Sequence, residues 1–456
     1  MAGIGFELGK LMRKDSYLSL FQAYAYAGVI SSGPWILSII AVIFIGIVSV
    51  PVVAPPQLVS QFQTAVTYVI ALSLILTGFV QLALTRYCAD RIFEQEHYRL
   101  IPSLNGAIFI VTTVSGLLAF PLSILLFDGQ SLFFRVLLAT VFVVMCDVWI
   151  AAILLSGLKA YRAVLLNFAA GYGTAFLLSF LLRSWNLEGL MLAFLTGQFV
   201  LLIGMLLVVY RYYPSTQFLG FDFLKKGRIY HSLVLTGFFY NLGIWADKMV
   251  FWFHPYTGAK VIGPMRASEI YDLPIFLAYL AIVPGMAVFL ARMETDFVEY
   301  YDKFYDAVRE GGTLGHICEM KDEMVRMARE GIYDIVKIQS IAAIGVFLLG
   351  RQLLGLARID ELYLPLLYVD VAGASFQVVF LGIINVFFYL DRRKRVLSLV
   401  ILFASLNFVL SVLSIIAGPF FYGYGFALSL VVSIFVGMIL LDRDLRMLEY
   451  ETFMLR

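Results

Sequence analysis

Charge is scarce in this chain of 456 residues: Asp, Glu, Lys and Arg make up 14% of it, against roughly a quarter in a soluble domain. Cysteine and histidine are scarcer still. Cys88, Cys146 and Cys318 show neither pairing nor ligand spacing, so no disulfide and no metal site is expected. His97, His231, His254 and His316 are scattered and form no metal-ligand pair. No G-x-x-x-x-G-K-[ST] loop is present to cradle phosphates, which excludes an ATP-driven pump in a single chain. The longest insert outside the apolar runs spans only Met293 to Asp334, whereas a nucleotide-sugar domain needs about 100 to 200 residues. That shortage argues against an enzyme, and no catalytic residue or cofactor is expected.

Apolar side chains fill the space the charges leave. They make up 61% of the chain, aromatics 16%, and the mean hydropathy is +0.90, which places the chain in a bilayer. Runs of about 20 apolar residues, each long enough to cross a hydrocarbon core as a helix, recur along its whole length. A β-barrel would show alternating segments of about 10 residues, and these are absent. The expected spans are 21–49, 63–86, 104–127, 133–157, 164–184, 189–210, 232–254, 271–291, 335–356, 363–390, 396–418 and 420–441.

The expected fold is therefore an all-α polytopic membrane protein with twelve transmembrane helices in two six-helix lobes. An amphipathic segment, 1–20, carries Ile4, Leu8, Leu11 and Met12 at helical spacing beside Lys10, Arg13 and Lys14. The N-lobe covers 21–210, a polar and basic linker 211–231, the C-lobe 232–441 and a tail 442–456. Within the C-lobe, 293–334 reads as a cytoplasmic helical hairpin. Phe297, Tyr301, Phe304 and Tyr305 mark one apolar face, Glu310 to Gly312 break it, and Ile317, Met320, Met324 and Met327 resume it. Such a hairpin lies on the membrane surface or docks a cytoplasmic partner.

Lys and Arg set the orientation. With the N-terminus inside, 26 of the 33 basic residues fall on inner segments, so both termini are expected in the cytoplasm. Because the acids balance this excess to a net charge of +2, it is a topology signal and does not suggest nucleic acid as a partner.

Polar groups inside the spans point to function, since a charge in hydrocarbon is costly. The candidates are Asp147, Asp247, Lys248 and Asp370, with Asn241 on the side of Lys248. Successive helix residues point about 100° apart, so Asp247 and Lys248 are not expected to face each other. Lys248, about 7 Å below the outer boundary at 1.5 Å per residue, can snorkel to the interface as a plain anchor beside Trp245 and Trp252. Asp247 cannot, and needs a base on another helix, a proton, or a water-filled cavity where it binds a cation or cationic sugar. Asp147 and Asp370 stand open between structural and functional roles. Gly33 and Pro34 in span 1, and Pro274, Pro284 and Gly285 in span 8, are expected to break helices, either as static kinks or where backbone lines a cavity or hinges.

Four strings carry a family resemblance: MAGIGFEL at the start, YAGVISSGPWILSI in span 1, NLGIWADKMVFW in span 7, and SEIYDLPIFLAYLAIVPGMAVFLARMETDFVEYYDKFYDA from span 8 onward. Together they resemble the PelG family, the inner-membrane transporters of the Pel exopolysaccharide system, over essentially the whole chain. Gly9 and Met12 depart from the more basic stretch usual there. The resemblance implies the multidrug/oligosaccharidyl-lipid/polysaccharide transporter superfamily, alternating access, and export of a galactosamine-rich, partly deacetylated polymer for the biofilm matrix. It also implies partners: a cytoplasmic UDP-sugar-using glycosyltransferase and two further membrane proteins, one sensing cyclic di-GMP. The superfamily plan equally allows a lipid-linked oligosaccharide flippase or a drug/cation antiporter, and a scaffold for the synthase remains a reading from another class.

Overall fold

The computed structural model describes residues 17–157, 160–225, 230–357 and 359–450. Residues 1–16 of the amphipathic segment, with Lys10, Arg13 and Lys14, lie outside the described residues, as do the last six residues of the tail.

Among the described residues the chain is almost entirely helical. Its α-helices are α1 (Tyr17–Ser49), α2 (Gln57–Phe93), α3 (Leu100–Leu126), α4 (Leu132–Gly157), α5 (Tyr161–Leu182), α6 (Asn186–Tyr212) and α7 (His231–Phe253), then α8 (Glu269–Leu280), α9 (Val283–Ala291), α10 (Phe297–Arg309), α11 (Leu314–Leu356), α12 (Leu364–Tyr389), α13 (Arg393–Ala417) and α14 (Tyr424–Arg446). Backbone groups have no water to bond in hydrocarbon, so helices that satisfy them internally are the natural solution for such a sequence.

Among the described residues, eight helices are long and apolar enough to cross a membrane, or up to ten if each bent pair counts as one span, where the sequence leads one to expect twelve. One of the eight, Arg162–Tyr212, holds two expected spans. These are α5 and α6, parted by a 3-10 turn at Arg183–Trp185. α7 is not among the eight, because its charge pair, Asn241 and tryptophans dilute its hydropathy. Expected span 8 is a bent pair: Glu269–Leu280 and the helical stretch from Val283 to Arg309 meet at 41°.

An all-helical chain was expected, yet a two-stranded antiparallel hairpin follows α7, formed by β1 (Ala259–Ile262) and β2 (Met265–Ala267). Its Arg266 donates from Nε to the carbonyl of Trp252 at 3.0 Å, which satisfies an open C-terminal carbonyl of α7.

The segment 293–334 also has its own geometry. α10 and the start of α11 are joined through Gly311, at φ +71°, and Thr313 caps α11 by accepting from the amide of His316. The second arm is not separate from the next span. Ile317, Met324, Ala328, Gly331, Ile335, Gln339 and Ala343 form one buried stripe along the single 43-residue helix α11. The spacing of three, four and seven continues without a break, so no signal exists to end the helix near residue 334.

Compactness divides the chain elsewhere than at the 211–231 connection. One unit comprises the chain up to Ser32 together with Ile270 onward, and the other runs from Gly33 to Glu269. α7, expected in the C-lobe, packs with the helices before it because glycines allow close approach to α2. A Cβ on Gly237 would lie 2.2 Å from the carbonyl oxygen of Gly78, and one on Gly78 would lie 2.7 Å from that of Gly237. Small residues at such crossings are how membrane helices reach van der Waals contact. α5 and α6 repeat the device, with a Cβ on Gly197 falling 2.5 Å from the oxygen of Gly171. Gly237→Val is expected to cost about 1–3 kcal/mol by overpacking. Thermal unfolding of the detergent-solubilised chain checks this, and an unchanged melting point contradicts the crossing.

Candidate functional site

Within the unit from Gly33 to Glu269, the polar groups gather on α2, α4 and α7. The carboxylate of Asp247 and the ammonium of Lys248 form an ion pair, Nζ to Oδ2 at 3.1 Å, with side-chain exposures of 0% and 1%. This corrects two expectations: the two residues do face each other, and Lys248 does not snorkel. Their Cβ vectors diverge as adjacent helix positions must, but four methylenes let the lysine curl back along its own helix. Its Nζ also donates to the carbonyl of Ile244 one turn earlier at 3.0 Å. The ring of Trp245 lies 5.8 Å away, within cation–π range. Asp247 therefore finds a base in its own neighbour. A buried pair of this kind is costly to break, since removing one partner strands a charge.

Asn241, on the same helix, donates from Nδ2 to the carbonyl of Leu74 at 2.9 Å, tying α7 to α2. Beside that contact α2 carries a polar ladder that a search for ionisable groups misses. Thr77 donates to the carbonyl of Ser73 at 2.7 Å, Gln81 to the Thr77 hydroxyl at 2.8 Å, and Trp149 of α4 to the Ser73 hydroxyl at 2.9 Å. The signal is present in the sequence, as polar residues at 73, 77 and 81 repeat every fourth position within an apolar span. Asp147 of α4 has a different partner, accepting from the Thr112 hydroxyl of α3 at 2.8 Å. Its other oxygen, Oδ1, is buried with no hydrogen-bond partner among the described residues.

The other unit holds Asp370, so the intramembrane acids do not form a single cluster. Asp370 is buried on α12 next to Gly423, the N-cap of α14 at φ +83°, where a Cβ would lie 2.7 Å from Oδ1. A carboxylate at a helix N-terminus meets the positive end of the macrodipole. Gly33 and Pro34 sit within α1 where the chain passes from one unit to the other; their side chains lie outside the described residues. Pro274 lies inside α8, while Pro284 opens α9 after the break.

That break frees the carbonyl of Ala281, and Gln339 of α11 answers it, donating from Nε2 at 2.9 Å while contacting the Ser375 hydroxyl of α12 at 3.2 Å. Gly285 makes room, since a Cβ there would lie 2.2 Å from Oε1 of Gln339. Sequence reading missed Gln339 because a lone amide gives no charge signal. Also missed was the π-turn Arg292–Asp296, a motif frequent at functional sites. There Glu294 accepts from Asn385 at 3.0 Å and Tyr389 at 2.8 Å, and Arg292 pairs with Asp296 at 2.7 Å and Asp334 at 3.0 Å. Among the described residues, no group of three or more His, Cys, Asp and Glu is placed to hold a metal ion.

Breaking the α7 pair from one side should be worse than removing it whole. Lys248→Met is expected to destabilise by about 3–5 kcal/mol, and Lys248→Met with Asp247→Leu by clearly less. A double-mutant cycle on thermal unfolding measures the difference, and additive losses contradict the pairing.

Comparisons with known proteins bear on the fold and the family. Among curated proteins none matches. Several solved structures share the fold. A multidrug-resistance MATE-family transporter of the MOP superfamily in an outward-facing conformation matches with a TM-score of 0.65 at 14% identity, covering 99% of each chain. A MATE transporter in its bent conformation gives 0.67 at 14% identity, over 97% of this chain and 98% of that one. A MOP-superfamily transporter from Pyrococcus furiosus, described as having a binding pocket of reverse polarity, gives 0.61 at 14% identity, over 98% and 99%. Family and fold are those of transporters, not of enzymes. The model of the PelG family, "Putative exopolysaccharide Exporter (EPS-E)", matches residues 1–453, and this multi-pass membrane protein belongs to that family.

Proposed function

We propose that the protein exports the Pel polysaccharide, an amino-sugar-rich exopolymer of the biofilm matrix, across the bacterial inner membrane by alternating access of two six-helix lobes. The observation that carries this reading is the family match over residues 1–453. Both termini face the cytoplasm, as the basic residues suggest. A separate cytoplasmic glycosyltransferase makes the polymer, and two further membrane proteins, one sensing cyclic di-GMP, complete the complex. The segment 293–334 and the basic loops hold the synthase near the cytoplasmic entrance.

The chemistry of the intramembrane groups supports a sugar as cargo. Asp247 is already neutralised by Lys248, and the neutral hydroxyls and amides of Ser73, Thr77, Gln81 and Asn241 suit sugar hydroxyls better than a free cation. Asp147 and Asp370 supply ion coupling or contacts to amino groups. The bend in α1 at Gly33 and Pro34 and the break between α8 and α9, ahead of Pro284 and Gly285, allow the hinge motion.

Drug or cation antiport is the second reading, favoured by the multidrug-resistance MATE transporter that shares the fold. Flipping of a lipid-linked oligosaccharide follows the same plan, and a scaffold would tolerate charge changes in the spans yet fail when 293–334 is altered.

Reconstitution separates these readings. Liposomes holding the protein with its glycosyltransferase should accumulate polymer in the lumen, and liposomes with the glycosyltransferase alone should not. Equal lumenal polymer without the protein ends the export reading. Asp247→Leu with Lys248→Met, which removes the buried pair whole, is expected to abolish export while membrane insertion and complex assembly persist. Export at the wild-type rate by that variant removes Asp247 from the mechanism.

A further inference from the structure

α11, α12 and α14 enclose a groove of about 680 Å³ within the unit that begins again at Ile270. Its walls are almost wholly apolar, with Val336, Ile344 and Phe347 from α11, Phe376 from the α12 floor and Met438 from α14. From Ile332 to Phe347 the apolar lining runs about 22 Å at 1.5 Å per residue, longer than one leaflet's share, roughly 15 Å, of a hydrocarbon core. Tyr333, Ile344 and Met438 are exposed, so the groove opens sideways.

One end of the groove is different in kind. Arg329 of α11 and Asp442 of α14 both line it and meet across its mouth at 3.3 Å. Beyond them a second cavity, about 370 Å³, shares Arg329 and Leu445 with the groove and is lined by Lys321, Arg326 and Arg446 with Asp322 and Glu330. A long apolar slot therefore continues into a compact polar cup carrying both signs of charge. The molecule with this profile is an amphiphile whose headgroup also carries both signs.

We propose that this composite site holds one bilayer phospholipid with an amine-bearing zwitterionic headgroup. An acyl chain lies in the groove on α12, the phosphate meets the Arg329 guanidinium, and the primary ammonium donates to Asp442. The Arg329–Asp442 pair is exposed, with side-chain exposures of 68% and 42%, and such pairs are weak enough to open for a ligand. A choline headgroup has no N–H to offer Asp442. The proposal stands independently of the transported substrate.

Native mass spectrometry of the delipidated full chain, titrated with dipalmitoyl phosphatidylethanolamine, phosphatidylcholine or phosphatidylglycerol, tests it. One phosphatidylethanolamine should be retained at collision energies that strip the other two. Ala372→Trp, which fills the floor, and Ile344→Trp, on the open wall, should each weaken retention at least tenfold. Leu348→Trp, exposed on α11 but outside the lining, should not. Asp442→Asn should abolish the preference for ethanolamine over choline. Where Ala372→Trp fails to fold by gel filtration, Ile344→Trp decides. Undiminished retention in a folded groove variant, a surviving preference in Asp442→Asn, or displacement of phosphatidylethanolamine by phosphatidylglycerol or a polyprenyl pyrophosphate at equal concentration overturns the proposal.

Discussion

The rest of the structure depends on one constraint: a polar group away from water must find its partner within the protein. Lys248 meets it with an aspartate and a carbonyl of its own helix. Asn241 meets it with a carbonyl of α2, Gln339 with the carbonyl that the α8–α9 break leaves open, and Asp147 with a threonine of α3. All but the first of these bonds also join one helix to another, so these polar groups are fastenings as well as candidate contacts. In lipid, where helices gain little from mutual hydrophobic attraction, such bonds and the glycine crossings are what select one packing from many.

Much of the fold was legible in the sequence because hydropathy over about twenty residues is a strong signal. The expected spans all fall on helices, and the break in span 8 lies next to Pro284. What failed was finer. The length of α11 is not legible where polar residues of 293–334 give way to the apolar run from 335, because the change in hydropathy looks like a boundary although the buried stripe through Ile335 continues unbroken. The β-hairpin after α7 was missed because strands of three and four residues are too short for a periodic pattern. The placement of α7 depends on glycines at 78 and 237, and their meeting is a tertiary fact with no local signature.

The candidate site was legible in its membership but not in its connections. Counting charges found Asp147, Asp247, Lys248 and Asp370. Angular position alone then separated Asp247 from Lys248, since it describes where a side chain leaves the backbone and not where a flexible stem ends. Gln81, Gln339 and Glu294 escaped because two are neutral and the third lies in a π-turn at the margin of a span. In hydrocarbon, neutral amides and hydroxyls at regular spacing are as informative as charges.

The division at Ser32 and Glu269 has a consequence for biogenesis. The unit from Gly33 to Glu269 is one uninterrupted stretch, so it can be completed as it leaves the ribosome. The first part of α1 has no such opportunity. Gly28 packs beside Val283 and Ala287, which at about 5–20 residues per second are synthesised on the order of tens of seconds later. For that interval the opening helix waits in the membrane without its own unit, whose other helices begin only when α8 and α9 arrive.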